Sequence, residues 1–457
     1  MQKTVVINVV GLTKRLIGEH TPFIKTFLEN GGHTFIKPML PAVTCSVQST
    51  YVTGKWPSEH GIVGNGWYFK DELEVKFWRQ SNRLVQQPKI WDALKQKDTS
   101  FTCANHFWWY NMYSNVDYSI TPRPNYLADG RKIPDIYSYP AELRDELQKE
   151  FGTFPLFEFW GPRTTINSSQ WIANGAIKTD EKYDPTLTLI YLPHLDYNLQ
   201  RHGLDFGKIS KDLNEIDGVV EQLVHHYEKL GAHIILLSEY GITNVKNPIH
   251  LNRVLRREGF VNVRIERGLE LLDAGASEAF AVADHQVAHI YVKDKNKLET
   301  IKNLIAKVPG VERVLSKEEI AVEHLNHERC GDLVAVADAD SWFTYYFWLD
   351  DAVAPDYARM VDIHKKPGYD PVEMMTDPKD KLVMVKVAWK LLKKKLGFRT
   401  VLDIIPLDAS LIKGSHGRLP EDKEDYPIFI TNRATKIDTH EVAAVEVYDL
   451  IKNHVVS

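Results

Sequence analysis

Cysteine is scarce in this chain of 457 residues, which contains only Cys45, Cys103 and Cys330. Their number is odd and their spacing matches no cysteine-based zinc pattern, so a disulfide framework and a cysteine-rich metal site are excluded as the basis of the fold. We therefore expect a reduced, cytoplasmic environment.

Charge of one sign and long hydrophobic runs are also lacking. The formal net charge is −5 with well-mixed signs, and we identify no basic run that would favour a nucleic acid polymer or an anionic membrane. The first apolar run ends at Gly11, which is too short for a spanning helix, and no small-residue cleavage site follows it. We expect neither nucleic acid nor a membrane as a partner.

Apolar residues make up 44% of the chain, which is enough for a large core. Short β-branched runs typical of buried parallel strands cover residues 5–10, 187–192 and 233–237. Between the last two, apolar residues recur at helical spacing over 209–230. This alternation predicts an α/β domain with helices on both faces of a mostly parallel sheet, in which ligands bind at the carboxyl ends of strands.

A second, smaller unit is predicted late in the chain. Its βαββ pattern comprises strands at 288–292, 311–315 and 333–337 and a helix at 297–307. The last core strand is predicted at 427–431. Residues 354–380, which are rich in proline, indicate a long ordered loop of the kind that is often functional.

The most informative motif is Pro-Ala-Val-Thr-Cys-Ser, which begins at Pro41 and contains Thr44. A Gly-x-x-Pro-x-x-His-Gly-Ile segment follows from Gly54 and leads to Asn65. A hydroxyl becomes a good nucleophile when a bound divalent cation lowers its pKa, and no histidine is placed by sequence to act as a base for Thr44. Asn65 can offer an amide N–H to a phosphate oxygen. The alternative is that these residues simply form turns.

Three further motifs follow in the chain. They are Leu-Asp-Tyr-Asn-Leu-Gln with Asp196, Ser-Glu-Tyr-Gly with Glu239, and Gly-Ser-His-Gly with His416. Taken with the Thr44 segment, they resemble the motifs of the nucleotide pyrophosphatase/phosphodiesterase branch of the alkaline phosphatase superfamily, in family order and over most of the chain.

The resemblance implies a fold and a reaction. The fold is an α/β, alkaline-phosphatase-like three-layer sandwich with a mostly parallel sheet and an inserted small α+β subdomain. Residues 1–275 and 395–457 would form the core, and residues 276–394 the inserted subdomain together with a long active-site loop. Thr44 would be the nucleophile that attacks phosphorus, and Asn65 its partner at the phosphate.

The resemblance also implies metal ligands, and here the chain departs from the family pattern. Asp196 and His416 match ligands of the family, and Glu239 keeps a carboxylate where the family has Asp. Three positions hold no usual ligand: Val10 replaces Asp, and Gln200 and Tyr240 each replace His. A protonated phenol is a rare ligand, and glutamine suits zinc poorly. We therefore expect one divalent ion rather than two, with zinc as the first choice and manganese or magnesium as alternatives.

Other residues could take the place of the missing metal ligands. Asp362 and His364, two apart on a segment read as extended, would face the same side and chelate together, or would merely anchor the loop. His285 is a further candidate. His194 and His202 could replace the missing ligand at position 200, or could lie at the surface or support the site indirectly. The aromatic block at 107–113 would stack on a leaving group, or pack beneath a loop.

The leading hypothesis is a metal-dependent hydrolase of a phosphate or phosphonate ester, of phosphodiesterase or nucleotide pyrophosphatase type, acting on a small phosphorylated substrate. The alternative is a catalytically silent or reduced-metal relative that binds a phosphorylated or aromatic small molecule. A hydrolase whose substrate lacks phosphorus is a third possibility. The sequence leaves the substrate and the oligomeric state open.

Overall fold

Nine strands form one mixed, mostly parallel sheet at the centre of the protein. The computed structural model describes residues 1–128, 131–380, 382–398 and 400–456, with the backbone alone at positions 384, 391, 394 and 395. From one edge to the other, the strands are Glu441–Ala443, Gly32–Lys37, Ile428–Thr431, His233–Leu237, Thr4–Val9, Leu187–Leu192, Cys103–His106, Tyr118–Pro122 and Ile136–Tyr139. The predicted α/β class and mostly parallel sheet are confirmed.

The three central strands are those with continuous apolar runs. Thr4–Val9, Leu187–Leu192 and His233–Leu237 are buried along their whole length and pair in parallel, as expected for strands covered on both faces. The strand predicted at 427–431 is present as Ile428–Thr431 and runs antiparallel to its neighbours. Ile136–Tyr139 is antiparallel at the far edge.

Helices cover the sheet. The helix predicted at 209–230 is Phe206–Lys229, whose buried face includes Leu213, Ile216 and Leu223. The other α-helices are Pro22–Asn30, Thr44–Thr53, Pro57–His60, Ile90–Lys97, Glu142–Phe151, Leu156–Phe159, Asn167–Tyr183, His194–His202, Leu251–Arg257, Leu298–Ile305, Lys317–Val322, Val383–Lys395 and Val447–Val456. In the described parts of the chain, no helix combines the length and apolar character needed to cross a membrane.

A second, antiparallel sheet of four strands has its own hydrophobic core. Its strands are, in order across the sheet, Ala279–Asp284, Val287–Val292, Leu333–Ala337 and Val311–Leu315. The predicted βαββ pattern is confirmed, and Ala279–Asp284 is an additional strand. This second core also contains Leu251 and Ile412, which lie outside 276–394. The division of the chain at 276 and 394 stays a prediction.

Short two-stranded ribbons complete the structure. They are Gly66–Phe69 with Glu74–Phe77, Asn125–Tyr126 with Lys132–Ile133, Thr243–Asn244 with Gly414–Ser415, Asn247–Ile249 with Ser341–Phe343, and Val263–Glu266 with Leu269–Leu272. Residues 354–380 form the predicted ordered loop, in which the regular elements are the 3-10 turns Asp356–Arg359 and Pro371–Met374.

Candidate active site

Thr44 begins a buried helix, Thr44–Thr53, directly after the extended residue Val43. The helix ends at Gly54, whose φ of 65° is readily adopted by glycine. The first backbone N–H groups of a helix carry partial positive charge, so Thr44 lies where an anion is favoured. Its side chain is 4% exposed and reaches the floor of a cleft at the carboxyl ends of the central strands.

The hydroxyl of Thr44 contacts the phenol of Tyr240 and also interacts with the carboxyl group of Glu239. The oxygens of Thr44 and Tyr240 are 2.9 Å apart. The ring of Tyr240 stacks on His416 with centroids 3.6 Å apart and an interplanar angle of 7°. Burial raises the pKa of Tyr240 well above its ordinary value, so the phenol is neutral. Sequence reasoning treated Tyr240 only as a lost ligand and missed this contact.

Glu239 is held by amides. Its Oε1 accepts hydrogen bonds from Asn8 Nδ2 and Gln48 Nε2, each at 2.5 Å, while Oε2 has no hydrogen-bond partner in the described structure. Burial raises the pKa of Glu239 to about 8, against the opposing effect of these hydrogen bonds. Around neutral pH, Glu239 is therefore largely a protonated, neutral acid.

Asp196 and His416 retain ligand atoms that face each other. Asp196 Oδ1 and His416 Nε2 are 3.9 Å apart, and within the described residues neither has a hydrogen-bond partner. His416 Nδ1 lies 2.7 Å from the carbonyl oxygen of Ala42, which assigns the proton to Nδ1 and a lone pair to Nε2. Burial raises the pKa of Asp196 to about 7 and lowers that of His416 to about 3.

These residues do not fit a two-ion centre. Of the ligand positions assigned to the Thr44 side, Val10 offers no donor atom, Tyr240 is a neutral phenol, and Glu239 has only Oε2 without an amide hydrogen bond. At the other position, Gln200 Oε1 already accepts a hydrogen bond from the phenol of Tyr369 at 2.9 Å. Asp196 and His416 remain as a pair that can hold one cation.

Glu239 does not join that pair in a three-ligand group. Among the described residues, the one group of three histidine, cysteine or acidic ligand atoms within 4.8 Å of one another is His194, Asp212 and Glu215. His194 Nε2 lies 3.3 Å from an oxygen of each carboxylate. This group connects the helices His194–His202 and Phe206–Lys229, so His194 faces the helix layer rather than replacing the missing ligand at position 200.

Asn65 is close to Thr44 but does not line the cleft. Its backbone N–H and Nδ2 donate to the two carboxylate oxygens of Asp284, at 2.7 and 3.1 Å, and its Oδ1 accepts from the backbone N–H of Cys45 at 2.9 Å. Asn65 thereby links the start of the Thr44 helix to the second sheet. Burial raises the pKa of Asp284 to about 7. The role of Asn65 at a phosphate stays a prediction.

The weaker metal candidates do not assemble with one another. His285 is sandwiched between Tyr369 and His416, with ring centroids 3.7 and 3.6 Å away. His364 lines the outer part of the cleft. Residues 363–365 form a turn, so the extended geometry expected for Asp362 and His364 is wrong, and the carboxylate of Asp362 instead lies 3.6 Å from Lys365 Nζ.

Aromatic rings dominate the cleft walls. Trp78 contacts Trp109 and Tyr369, with ring centroids 5.0 and 6.0 Å away, and Tyr369 contacts Trp160 at 5.8 Å. The residues of the predicted aromatic block at 107–113 lie in two different places. Trp109 lines the cleft, whereas Phe107 and Trp108 belong to the main core. The cleft can therefore stack a flat ligand.

Cations line the cleft and also lie beneath the loop. Arg123 and Lys132 line the cleft and are its positively charged side chains in the described structure. Lys366 is fully buried, with Nζ 2.7 Å from a carboxylate oxygen of both Asp370 and Glu373. Sequence reasoning missed this anchor. Its one signal was the placement of two acids four and seven residues after the lysine.

A profile of the family described as "Type I phosphodiesterase / nucleotide pyrophosphatase" matches residues 4–370. An uncharacterised pyrophosphatase/phosphodiesterase of Schizosaccharomyces pombe is 24% identical over 253 residues, which cover 53% of this chain and 44% of that protein. Ectonucleotide pyrophosphatase/phosphodiesterase 1 of Saccharomyces cerevisiae is 24% identical over 282 residues, 54% of this chain and 34% of that protein. The chain thus spans less than half the length of these curated relatives.

Solved structures agree on the fold. Murine ectonucleotide pyrophosphatase/phosphodiesterase 5, in an inactive form in complex with AMP, superposes with a TM-score of 0.61 at 16% identity, covering 100% of this chain and 95% of that one. Phosphonoacetate hydrolase from Sinorhizobium meliloti, in complex with phosphonoformate, gives a TM-score of 0.62 at 14% identity, covering 100% and 96%. The alkaline-phosphatase-like fold is confirmed. The chain belongs to the type I phosphodiesterase/nucleotide pyrophosphatase family of the alkaline phosphatase superfamily.

Proposed function

We propose that this protein binds a small phosphorylated molecule with a flat aromatic portion in the cleft above Thr44, and that it does so without a two-ion centre. This is the reduced-metal alternative among the functions considered from the sequence. One observation carries it: Thr44 Oγ1 is hydrogen-bonded to the neutral phenol of Tyr240 at 2.9 Å, in the place where an activating cation would have to stand.

The character of the cleft supports this ligand class. The linked rings of Trp109, Trp78, Tyr369 and Trp160 offer a stacking surface of the kind that flat heterocycles occupy. Arg123, which is exposed, and Lys132, which is half-buried, place positive charge on the cleft lining. We infer that they mark its mouth, where a phosphate can remain partly hydrated. We therefore place the aromatic portion against the walls and the phosphate at the mouth. The complex of the murine relative with AMP makes AMP the natural probe.

Calorimetric titration tests this arrangement. AMP should bind the wild-type chain more tightly than adenosine does. The double substitution Arg123→Gln with Lys132→Gln should reduce AMP affinity about tenfold or more and leave adenosine affinity within about twofold, because charge-assisted hydrogen bonds to phosphate are lost while stacking remains. Arg264→Gln, at an exposed position outside the cleft, is the matched control. An equal loss of affinity for AMP and for adenosine would contradict the proposed placement of the phosphate.

A second candidate function follows from Asp196 and His416. Their unpartnered ligand atoms, 3.9 Å apart, can hold one divalent cation, with zinc as the first choice on the basis of the nitrogen and oxygen donors. In that case the protein is a phosphoric ester hydrolase with Thr44 as nucleophile. Hydrolysis of an aromatic phosphodiester that requires metal, and is lost in both Thr44→Ala and His416→Ala, would favour this candidate over the first.

A further inference from the structure

One helix of the described structure presents a row of large apolar side chains to solvent. Leu382 and Leu396 flank the helix Val383–Lys395, which itself contains Val385, Trp389 and Leu392. These five side chains are between 46% and 65% exposed. Their spacing of three and four residues places them on one helical face. Phe398, 64% exposed, follows directly.

The same stretch is strongly basic. Residues 377–399 contain eight lysines and arginines but only two aspartates. The even mixing of charges in the rest of the chain gave no reason to expect a membrane partner, and this stretch is an exception to that mixing. Lys386 is paired with Asp380 at 2.5 Å, and Lys390 with Asp403, but the stretch keeps an excess of positive charge. Lys393 lies over the ring of Trp389, 5.3 Å from its centroid.

We propose that this helix docks on the surface of a membrane that contains anionic lipids. A helix with an exposed apolar face, flanking lysines and an interfacial tryptophan has the features of a helix that lies in the plane of the headgroups. An apolar protein groove would also accept the row of leucines, but it would not require the excess of lysines beside it. Charge complementarity therefore favours the lipid surface.

The position of the helix in the chain links membrane docking to the cleft. The preceding loop, residues 354–380, contributes Val361, Ile363 and His364 to the cleft wall and leads directly into the helix. Docking would therefore hold the chain segment next to the cleft mouth at the bilayer surface. This inference does not depend on which function the cleft performs.

Vesicle flotation with the full chain tests the proposal. The wild-type protein should float with vesicles of phosphatidylcholine containing about one third phosphatidylglycerol, should float poorly with pure phosphatidylcholine, and should be released by high salt. Trp389→Ser with Leu392→Ser should weaken binding about tenfold or more. Lys386→Gln and Lys393→Gln should each weaken it about fivefold. Val322→Ser and Lys211→Gln are matched controls. Val322 is 77% exposed, and the side chain of Lys211 is 82% exposed.

A site-specific label provides a second measurement. The three native cysteines are buried, so Leu392→Cys carries the one accessible thiol for an environment-sensitive dye. Its emission should shift to the blue on addition of anionic vesicles, whereas the same dye on Val322→Cys should not respond. Absence of flotation with anionic vesicles would overturn the proposal. So would a concentration-dependent self-association that the Trp389→Ser and Leu392→Ser substitutions abolish.

Discussion

Thr44 and Tyr240 share one hydrogen bond, and that bond determines what the threonine hydroxyl can do. A threonine becomes a nucleophile when a neighbour accepts its proton or stabilises its alkoxide. A buried phenol with a raised pKa does neither at neutral pH. We therefore propose that Thr44 acts as a hydroxyl that donates or accepts a hydrogen bond to a ligand in the cleft.

Restoring the ligand types of the resembled family should restore metal-dependent chemistry. The combined substitutions Val10→Asp, Gln200→His, Glu239→Asp and Tyr240→His supply anionic and imidazole ligands on both sides of Thr44. Hydrolysis of bis(p-nitrophenyl) phosphate with added zinc should then exceed that of the parent chain about a hundredfold or more, because a bound cation both activates the hydroxyl and stabilises charge on the phosphate.

The same variant carrying Thr44→Ala is the control and should lose the gain. A rise in melting temperature on zinc addition would verify that the variant folds and binds metal. Undiminished hydrolysis in the Thr44→Ala background would contradict the role given to this hydroxyl.

Glu239 should make the free energy of unfolding depend on pH. Its pKa is raised from 4.5 in the unfolded chain to about 8 in the folded protein, so the folded state holds an extra proton between these values. The contribution of Glu239 to the free energy of unfolding therefore decreases as pH rises through this window. In urea titrations between about pH 5.5 and 7.5, Glu239→Gln should make the pH slope of the free energy of unfolding more positive than that of the wild-type chain, by about 1.4 kcal/mol per pH unit.

Glu421→Gln, at a side chain 77% exposed, should leave the slope unchanged. Identical pH slopes for the wild-type chain and Glu239→Gln would contradict the raised pKa of Glu239.

Residue-scale features differ in how far sequence could predict them. The motifs indicated Thr44, Asp196 and His416, and the structure brings these three to one place around Tyr240. The partnership of Asn65 with Asp284 was not predictable, because the two residues are 219 positions apart and no local pattern connects them.

Among the elements, the loop at 354–380 is held by one buried cation. Lys366 is flanked by two carboxylates at 2.7 Å, and Glu373 also accepts a hydrogen bond from Trp160 Nε1 on the cleft wall. Removing the cation leaves two buried acids without a counter-charge. The loop and the aromatic wall are therefore coupled through this anchor.

Lys366→Met should lower the free energy of unfolding by about 3–5 kcal/mol, since one partner of a buried ionic group is removed. Lys365→Met is a matched control, because the adjacent side chain is 62% exposed and should cost no more than about 0.5 kcal/mol. Urea unfolding of both variants measures the difference. Similar values for the two variants would contradict the anchoring role.

Element prediction succeeded where apolar runs were continuous. Leu187–Leu192 and His233–Leu237 were predicted at their observed bounds because fully buried parallel strands are apolar throughout. The helix Val383–Lys395 was missed, although its apolar residues recur every three or four positions as in an amphipathic helix. Strands of two or three residues, such as Glu441–Ala443, are too short to have a periodicity.

On the scale of the whole molecule, the cleft lies where two hydrophobic cores meet. The main core contributes Tyr191 and Tyr240, the second contributes Tyr369, and both sets of residues line the same cleft. The fold of the family is thus intact, while the phenol of Tyr240 and the amide-bonded carboxyl group of Glu239 lie beside Thr44. We propose that ligand binding in this cleft does not need a divalent metal.

The most direct test is the affinity for AMP of metal-stripped protein, measured by calorimetry in excess EDTA and again after adding stoichiometric zinc. Equal dissociation constants within about threefold, with AMP left intact in both samples, are the result expected here. Binding that vanishes in EDTA and returns with zinc would contradict this account and restore the metal-dependent hydrolase as the leading hypothesis.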